Sequence, residues 1–284
     1  MKIRNLSKTN LDDLIECFLL SFENYFVRMP TDKAYYKQRW QTAKVNYELS
    51  YGMFDDEKLV GFIIHAIDKR DKKLVAYNTG TGVIPSHRGQ KIIQSVYQYA
   101  VLDLLKNGIE KCVLEVIIEN KKAIKSYQNI GFEITKHYKC FAGELKIENQ
   151  SKNDFEVIKI QYSDINWSKI PNQTFYSWDN HFQIIKNRAY DYYQIWNKNT
   201  LEDKLESFFV IDSDNGYIAQ FEILTNNKKN QEQIYQRLFL AIQEICSTIK
   251  INNIDTKFKD KIDFLDSIKV KNIIDQYEME MNLI

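Results

Sequence analysis

Val83-Ile84-Pro85-Ser86-His87-Arg88-Gly89-Gln90-Lys91 joins the end of an apolar strand to the start of a long amphipathic helix. Upstream, residues 74–83 read as the strand. Downstream, Ile92, Ile93, Val96, Tyr97, Ala100, Val101, Leu104 and Leu105 recur at helical spacing until Gly108 stops the run. A strand feeding a tight turn at a helix N-terminus leaves backbone N–H groups without intrahelical partners, at the positive end of the helix dipole. Such an end suits a phosphate or pyrophosphate. Gly89 lets the backbone approach a ligand closely, and Arg88 and Lys91 add positive charge. A plain surface turn carrying cations fits the same nine residues, so a second feature has to decide.

Outward from this junction the pattern is α/β. Towards the N-terminus, Leu11, Leu14, Ile15, Phe18, Leu19 and Phe22 make one apolar stripe behind an Asn10 N-cap, with Asp12 and Asp13 in the first turn. A second helix follows Thr31 and carries Tyr35, Tyr36 and Trp40. Residues 51–54, 59–67 and 74–83 are separated by Asp55-Asp56-Glu57 and Lys69-Arg70-Asp71-Lys72, which reads as an antiparallel meander. Towards the C-terminus, residues 111–117 form a nearly unbroken apolar strand, as expected when both sheet faces are covered. A short helix capped by Asn120 and ended by Gly131 follows, then one or two strands over 133–145. The expected order is α-α-β-β-β-α-β-α-β.

The short helix holds the second feature. Asn120 and Tyr127 lie two helical turns apart, so both can face one cleft; Leu114-Glu115-Val116 precedes them and Gly131-Phe132 follows. Alone, this stretch is also a capped amphipathic helix with Tyr127 in the core. Together, Val83-Ile84-Pro85-x-x-Arg88-Gly89 and Asn120-x-x-Ala123-Ile124-x-x-Tyr127-x-x-x-Gly131-Phe132 resemble the GCN5-related N-acetyltransferase (GNAT) family over about residues 1–145. The resemblance implies an acetyl-CoA-binding fold with a mixed sheet, in which the strands ending near Val83 and Ile117 splay apart and admit pantetheine. It implies pyrophosphate binding at Arg88, Gly89, Gln90, Lys91, Ile92 and Ile93. It also implies cofactor contacts from Val83, Ile84, Asn120, Ala123 and Tyr127, with Tyr127 protonating the departing CoA thiolate. The loop departs from the family's Arg/Gln-x-x-Gly-x-Gly/Ala pattern, because Lys91 and Ile93 stand at the two small positions. Their side chains either crowd the pyrophosphate or, for Lys91, turn outward and pair with it.

Acetyl transfer to an amine requires a neutral amine, a polarised thioester carbonyl and a proton for the leaving thiolate. A backbone N–H at Val83 or Ile84 suits the carbonyl. For the base, Glu115 sits in an apolar strand, where burial raises a carboxyl pKa. His65 also lies mid-strand. Each reads equally as a satisfied structural residue, and a water chain needs neither. Lys121, Lys122 and Lys125 are either a solvated face or a contact for the 3′-phosphate of CoA.

Residues 146–153 are polar and read as a linker, dividing the chain into an acetyl-CoA-binding domain, 1–147, and a second domain, 153–284. The second half runs as a strand over 155–162, a hairpin about Ser213-Asp214-Asn215-Gly216, a helix over 231–248, a short strand near Ile254, a helix near 264–268 and a last strand over 277–283. This order repeats the tail of the first half. The second domain therefore resembles the same family as a degenerate member without cofactor, shaping the acceptor site. Asn226-Asn227-Lys228-Lys229 stands where its phosphate loop would be. The aromatic run Phe175-Tyr176-x-Trp178-x-x-His181-Phe182, with Tyr190, Tyr192, Tyr193 and Trp196, is either a wall of the acceptor pocket or packed core.

Composition narrows the classes. With 284 residues, 44% of them hydrophobic, one large or two modest domains are expected. Lys and Arg number 39 against 38 Asp and Glu, a balance that argues against coating nucleic acid or a membrane surface. No apolar run reaches the roughly 18–20 residues of a membrane helix, and the start lacks an apolar signal region. Cys17, Cys112, Cys140 and Cys246 lie far apart without a CxxC, so reduced thiols and no metal are expected. The expectation is a cytoplasmic acetyl-CoA-dependent N-acetyltransferase, monomer or homodimer, acting on a small-molecule or peptide amine without metal, nucleic acid or membrane. The alternative is a non-catalytic acyl-CoA-binding or regulatory protein that keeps the fold.

Overall fold

The Asn10 side chain accepts from the Asp12 amide at 2.8 Å and opens α1, Leu11–Ser21. Asp32 does the same for α2, Lys33–Thr42, through the Ala34 amide at 2.9 Å. Each cap satisfies a donor that a helix start leaves unpaired and contributes about 1 kcal/mol. The computed structural model describes residues 1–148, 154–198, 204–225 and 230–284. The chain forms two compact units, Met1–Lys136 with Gln276–Ile284, and His137–Asp275.

In the first unit, β1 (Lys2–Asn5), β2 (Tyr51–Asp55), β3 (Lys58–Arg70) and β4 (Lys73–Val83) pair antiparallel in that order. The sequence reading missed β1. It is four residues long and mostly exposed, with only Ile3 packed inward, which is too short for an alternating signal. After β4 come α3 (Ile92–Lys106), β5 (Lys111–Ile117), α4 (Lys121–Ile130) and β6 (Glu133–Glu144), the last a single strand. The parallel pairing of β4 with β5 covers only Val75↔Lys111 to Asn78↔Leu114. Beyond Asn78 a register shift against β3 marks a bulge at Thr79, and the two strands run on without pairing. That divergence positions the site. Around it, Phe18, Phe62 and Ile64 share one core with Val96, Tyr97 and Leu104.

The second unit continues with β7 (Phe155–Ile160), α5 (Phe182–Ile185), β8 (Asp191–Asn197), β9 (Lys204–Asp212), β10 (Tyr217–Ile223), α6 (Gln231–Ile245), β11 (Thr248–Asp255) and α7 (Lys259–Ser267). Strands β7 to β10 form an antiparallel run, β10 pairs parallel with β11, and β11 pairs antiparallel with the second part of β6. The expected helix to residue 248 ends three residues early. Cys246 is already extended, and from Thr248 the residues alternate Ile249, Lys250, Ile251, which is strand period. Much of the aromatic run is core of this unit, while Phe175 and Tyr176 line a small cavity. Tyr192 and Phe208 are buried, with Trp167, Phe182 and Tyr190 packed against them, and Tyr193 stacks on Phe209 at 5.0 Å. The last strand, β12 (Lys271–Asn282), ends in the first unit, pairing antiparallel with β5 from Gln276↔Ile117 to Asn282↔Lys111. Residues 149–153 of the expected linker and Asn226-Asn227-Lys228-Lys229 lie outside the described residues.

Candidate functional site

The turn before α3 has the geometry its sequence suggests. Gly89 has φ +81°, a left-handed conformation that glycine adopts at little cost. Lys91, the N-cap of α3, is also left-handed at φ 56° and makes no side-chain cap. Ser95 N–H is the first amide to bond back, to Lys91 O at 3.1 Å. The six preceding amides, those of Gly89, Gln90, Lys91, Ile92, Ile93 and Gln94, have no acceptor among the described residues. They open on a cleft of about 690 Å³, within the range of ligand pockets. Its walls are this loop, the end of β4, Ser21 at the end of α1 with residues 22–26 after it, and one side of α4 from its Asn120 cap to Asn129. His87, Arg88, Lys91, Lys122 and Lys125 give it a basic rim. Lys121 does not line it.

Several side chains in the loop are committed elsewhere. Arg88 donates to Val83 O at 3.3 Å and Ser21 O at 3.0 Å, bracing the loop against β4 and the end of α1. The Ile92 side chain is buried in the core and Ile93 packs against it, so both offer the cleft chiefly their amides. Lys91 is exposed.

The two amides expected to polarise a carbonyl are not equivalent. Ile84 N–H donates to Val60 O at 3.0 Å, so it is taken, a correction to the sequence reading. That bond makes Val60 and Ile84 a hydrogen-bonded pair of the antiparallel ladder. The next pair, Gly61↔Val83, is then non-hydrogen-bonded, and Val83 N–H points away from β3, into the gap beside β4. Thr81, two residues back, is oriented the same way.

Asn120 caps α4 by accepting from the Ala123 amide at 3.2 Å, and it lines the cleft together with Tyr25. Seven residues on, Tyr127 lines the cleft and is buried. Gly131, at φ 114°, closes the helix while Phe132 N–H bonds Tyr127 O at 3.0 Å. The Phe132 ring then packs between Tyr127 and Tyr97. Burial pushes the Tyr127 phenol up to about 12, opposed by the polar side chains of Thr81 and Asn78 beside it. It is therefore protonated at neutral pH and held at the mouth of the β4–β5 gap. Sequence reasoning missed Tyr25, Asn78 and Thr81. Asn78 and Thr81 were readable as polar residues in an apolar strand, flanking Gly80.

The base candidates lie apart. His65 is fully buried, with Nδ1 2.7 Å from Leu49 O, and burial lowers its pKa to about 4; it is a core residue. Glu115 follows Leu114, which pairs with Asn78. Because Asn78 reaches Tyr97 on α3, alternation puts Glu115 on the other face of β5, opposite Glu278 of β12.

The second unit repeats the arrangement with different contents. Strands β10 and β11 pair only at Tyr217↔Lys250 and then diverge, with α6 between them in sequence and α7 after. The gap is filled. Lys261 of α7 is buried, with Nζ 2.8 Å from Phe221 O and 2.7 Å from Glu222 Oε1. Tyr176 donates to the same carboxylate at 2.7 Å, and the Phe221 and Phe258 rings lie 4.6 and 5.1 Å from the ammonium.

Residues 11–132 match the acetyltransferase (GNAT) family. An uncharacterised N-acetyltransferase of Methanocaldococcus jannaschii is 32% identical over 141 residues, 46% of this chain and 60% of that protein. N-alpha-acetyltransferase 30 of Schizosaccharomyces pombe is 32% identical over 87 residues, 30% of this chain and 57% of that protein. The chain thus spans less than two thirds of the length of either curated relative. A tandem GNAT protein from the clavulanic acid biosynthesis pathway has a TM-score of 0.71 to this structure, over 99% of this chain and 98% of that one, at 9% identity. Residues 11–132 thus match the acetyltransferase (GNAT) family model, in a chain that has the fold of a tandem GNAT protein.

Proposed function

We propose that the protein is an acetyl-CoA-dependent N-acetyltransferase whose active site lies in the first unit. The observation that carries this reading is the row of six open amides from Gly89 to Gln94, beside the gap where β4 leaves β5. Those amides and the basic rim suit the pyrophosphate and 3′-phosphate of CoA. The co-substrate supplies an activated acetyl thioester. Val83 N–H is oriented to polarise its carbonyl, and Tyr127 to give a proton to the thiolate. Glu115 is the carboxylate assigned to the acceptor amine's proton, on the opposite face of β5. The acceptor is a small-molecule or peptide amine; one relative's name, an N-alpha-acetyltransferase, favours an α-amine. Four cysteines outside any disulfide, three of them buried, fit a reducing cytoplasm.

The non-catalytic alternative rests on Lys91 and Ile93, yet both leave their amides open. Thiol release from acetyl-CoA with a panel of amines tests the proposal. Turnover with any amine supports it; tight CoA binding without turnover supports the alternative.

A further inference from the structure

The second unit keeps a small cavity beside the Lys261 cluster. Its volume is about 20 Å³, room for one particle the size of a water molecule. The rings of Phe175, Tyr176, Phe221 and Phe258 line it, together with Lys261 and with Asp255, the last residue of β11. Asp255 is only 3% exposed. Its Oδ1 accepts from the Lys257 amide at 2.9 Å, while Oδ2 is buried and has no partner among the described residues.

The charges around this cavity do not balance. Lys261 donates to Phe221 O and Glu222 Oε1, so its ammonium is matched by the Glu222 carboxylate. Neither Lys261 nor Lys257 bonds Asp255 Oδ2. Lys257 is exposed and places its ammonium 5.1 Å from the centre of the Phe175 ring instead. One buried carboxylate oxygen is left over, and a buried charge is costly unless a counter-charge or a donor meets it.

The rings indicate which counter-charge suits the cavity. Phe221, Phe258 and Tyr176 surround the Lys261 ammonium at 4.6, 5.1 and 5.5 Å, distances at which a ring face attracts a cation. A bare metal ion needs several oxygen ligands, and no group of three or more His, Cys, Asp or Glu is placed to hold one among the described residues. An ammonium head needs less: one carboxylate oxygen for a charge-assisted hydrogen bond, and ring faces around the rest.

We infer that the second unit binds one ammonium group in this cavity, donating to Asp255 Oδ2, either as the ammonium ion or as the end of a slender primary amine. The site is built entirely within the second unit, apart from the open amides of Gly89 to Gln94, and the inference does not depend on acetyl transfer.

The test is the melting temperature of the full chain in ammonium, methylammonium, tetramethylammonium and sodium chloride at equal ionic strength. A rise that grows with ammonium concentration and is absent in sodium and tetramethylammonium is expected, because the ligand binds only the folded chain. A matching rise in methylammonium supports the site with a primary amine as its source; a rise in ammonium alone supports it with the free ion. Asp255→Asn keeps an acceptor for the Lys257 amide and should abolish the rise. Ala219→Val fills the cavity from β10 while leaving the carboxylate in place, and should abolish it too. Equal curves in all four salts, or a rise that survives in whichever of the two variants folds, overturns the inference.

Discussion

The Asn78 side chain donates to Thr81 Oγ1 at 2.5 Å, and Thr81 lines the same cleft as Tyr127. Asn78 forms the last pair of the β4–β5 ladder and also donates to Tyr97 at 2.8 Å. Phe132 packs between Tyr97 and Tyr127, and that ring stack holds the phenol near the point where the two strands part. A positioned proton donor needs such an anchor, because a freely rotating hydroxyl loses entropy each time it finds the leaving group.

Tyr127→Phe removes only the hydroxyl. Loss of a placed general acid is expected to lower kcat by about 10²–10⁴-fold with little change in KM, since the proton is needed only in the transition state. The lost buried hydroxyl costs about 1 kcal/mol of stability, so the variant stays folded. Steady-state kinetics on a confirmed acceptor decides; a wild-type rate makes Tyr127 a packing residue.

Lys91 stands in a left-handed conformation at φ 56°, which costs a non-glycine residue roughly 1–2 kcal/mol. Lys91→Gly and Lys91→Ala both remove the charge, but only glycine relieves the strain. Urea unfolding is expected to find the glycine variant more stable than the alanine variant by about 1 kcal/mol. Equal stabilities would show that the backbone there is not held left-handed.

What was legible in the sequence was local. Asn120, Tyr127, Gly131 and Phe132 lie within thirteen residues, and their spacing alone fixes a cap, a facing side chain and a stop. What escaped depends on partners far along the chain. Arg88 braces the loop through a carbonyl at Ser21, 67 residues away. The Ile84 amide is lost to Val60 because of the β3–β4 register, which no local pattern specifies. Strand β12 reads as the end of a second domain, yet Met279 and Met281 are buried in the first unit's core. The aromatic run read equally well as pocket or core because aromatic composition favours both; only burial separates them.

His65 makes stability depend on pH. Its ordinary value is 6.5 and its folded value about 4, lowered chiefly by burial. The unfolded chain therefore binds a proton that the folded chain does not. Its contribution is present above about pH 6.5 and is lost as pH falls towards 4. Over that window the loss is about 3 kcal/mol. His65→Asn keeps a donor for the Leu49 carbonyl and does not titrate. Denaturant unfolding at pH 7.5 and 4.5 should show a smaller drop for the variant than for the wild type; parallel drops would assign the acid sensitivity to other groups.

The filled gap between β10 and β11 leads to a stoichiometry. In the first unit the diverging strands leave room beside open amides; in the second, the Lys261 ammonium donates to the Phe221 carbonyl and the Glu222 carboxylate, near the Phe221 and Phe258 rings. A buried ammonium this well paired is not displaced by a ligand without stranding Glu222. Calorimetric titration is therefore expected to give one CoA per chain, and a second event would place a ligand in the second unit. Lys261→Met leaves the buried Glu222 carboxylate without its cation and should cost about 3–5 kcal/mol. Adding Glu222→Gln removes the stranded charge, keeps an acceptor for Tyr176, and should recover most of that loss. CoA affinity in the first unit should be the same in wild type and double variant at a temperature where both are folded. If the double variant gains a second CoA site, Lys261 and Glu222 alone exclude the cofactor. If it does not, the Tyr176 and Phe258 rings that still occupy the gap also exclude it.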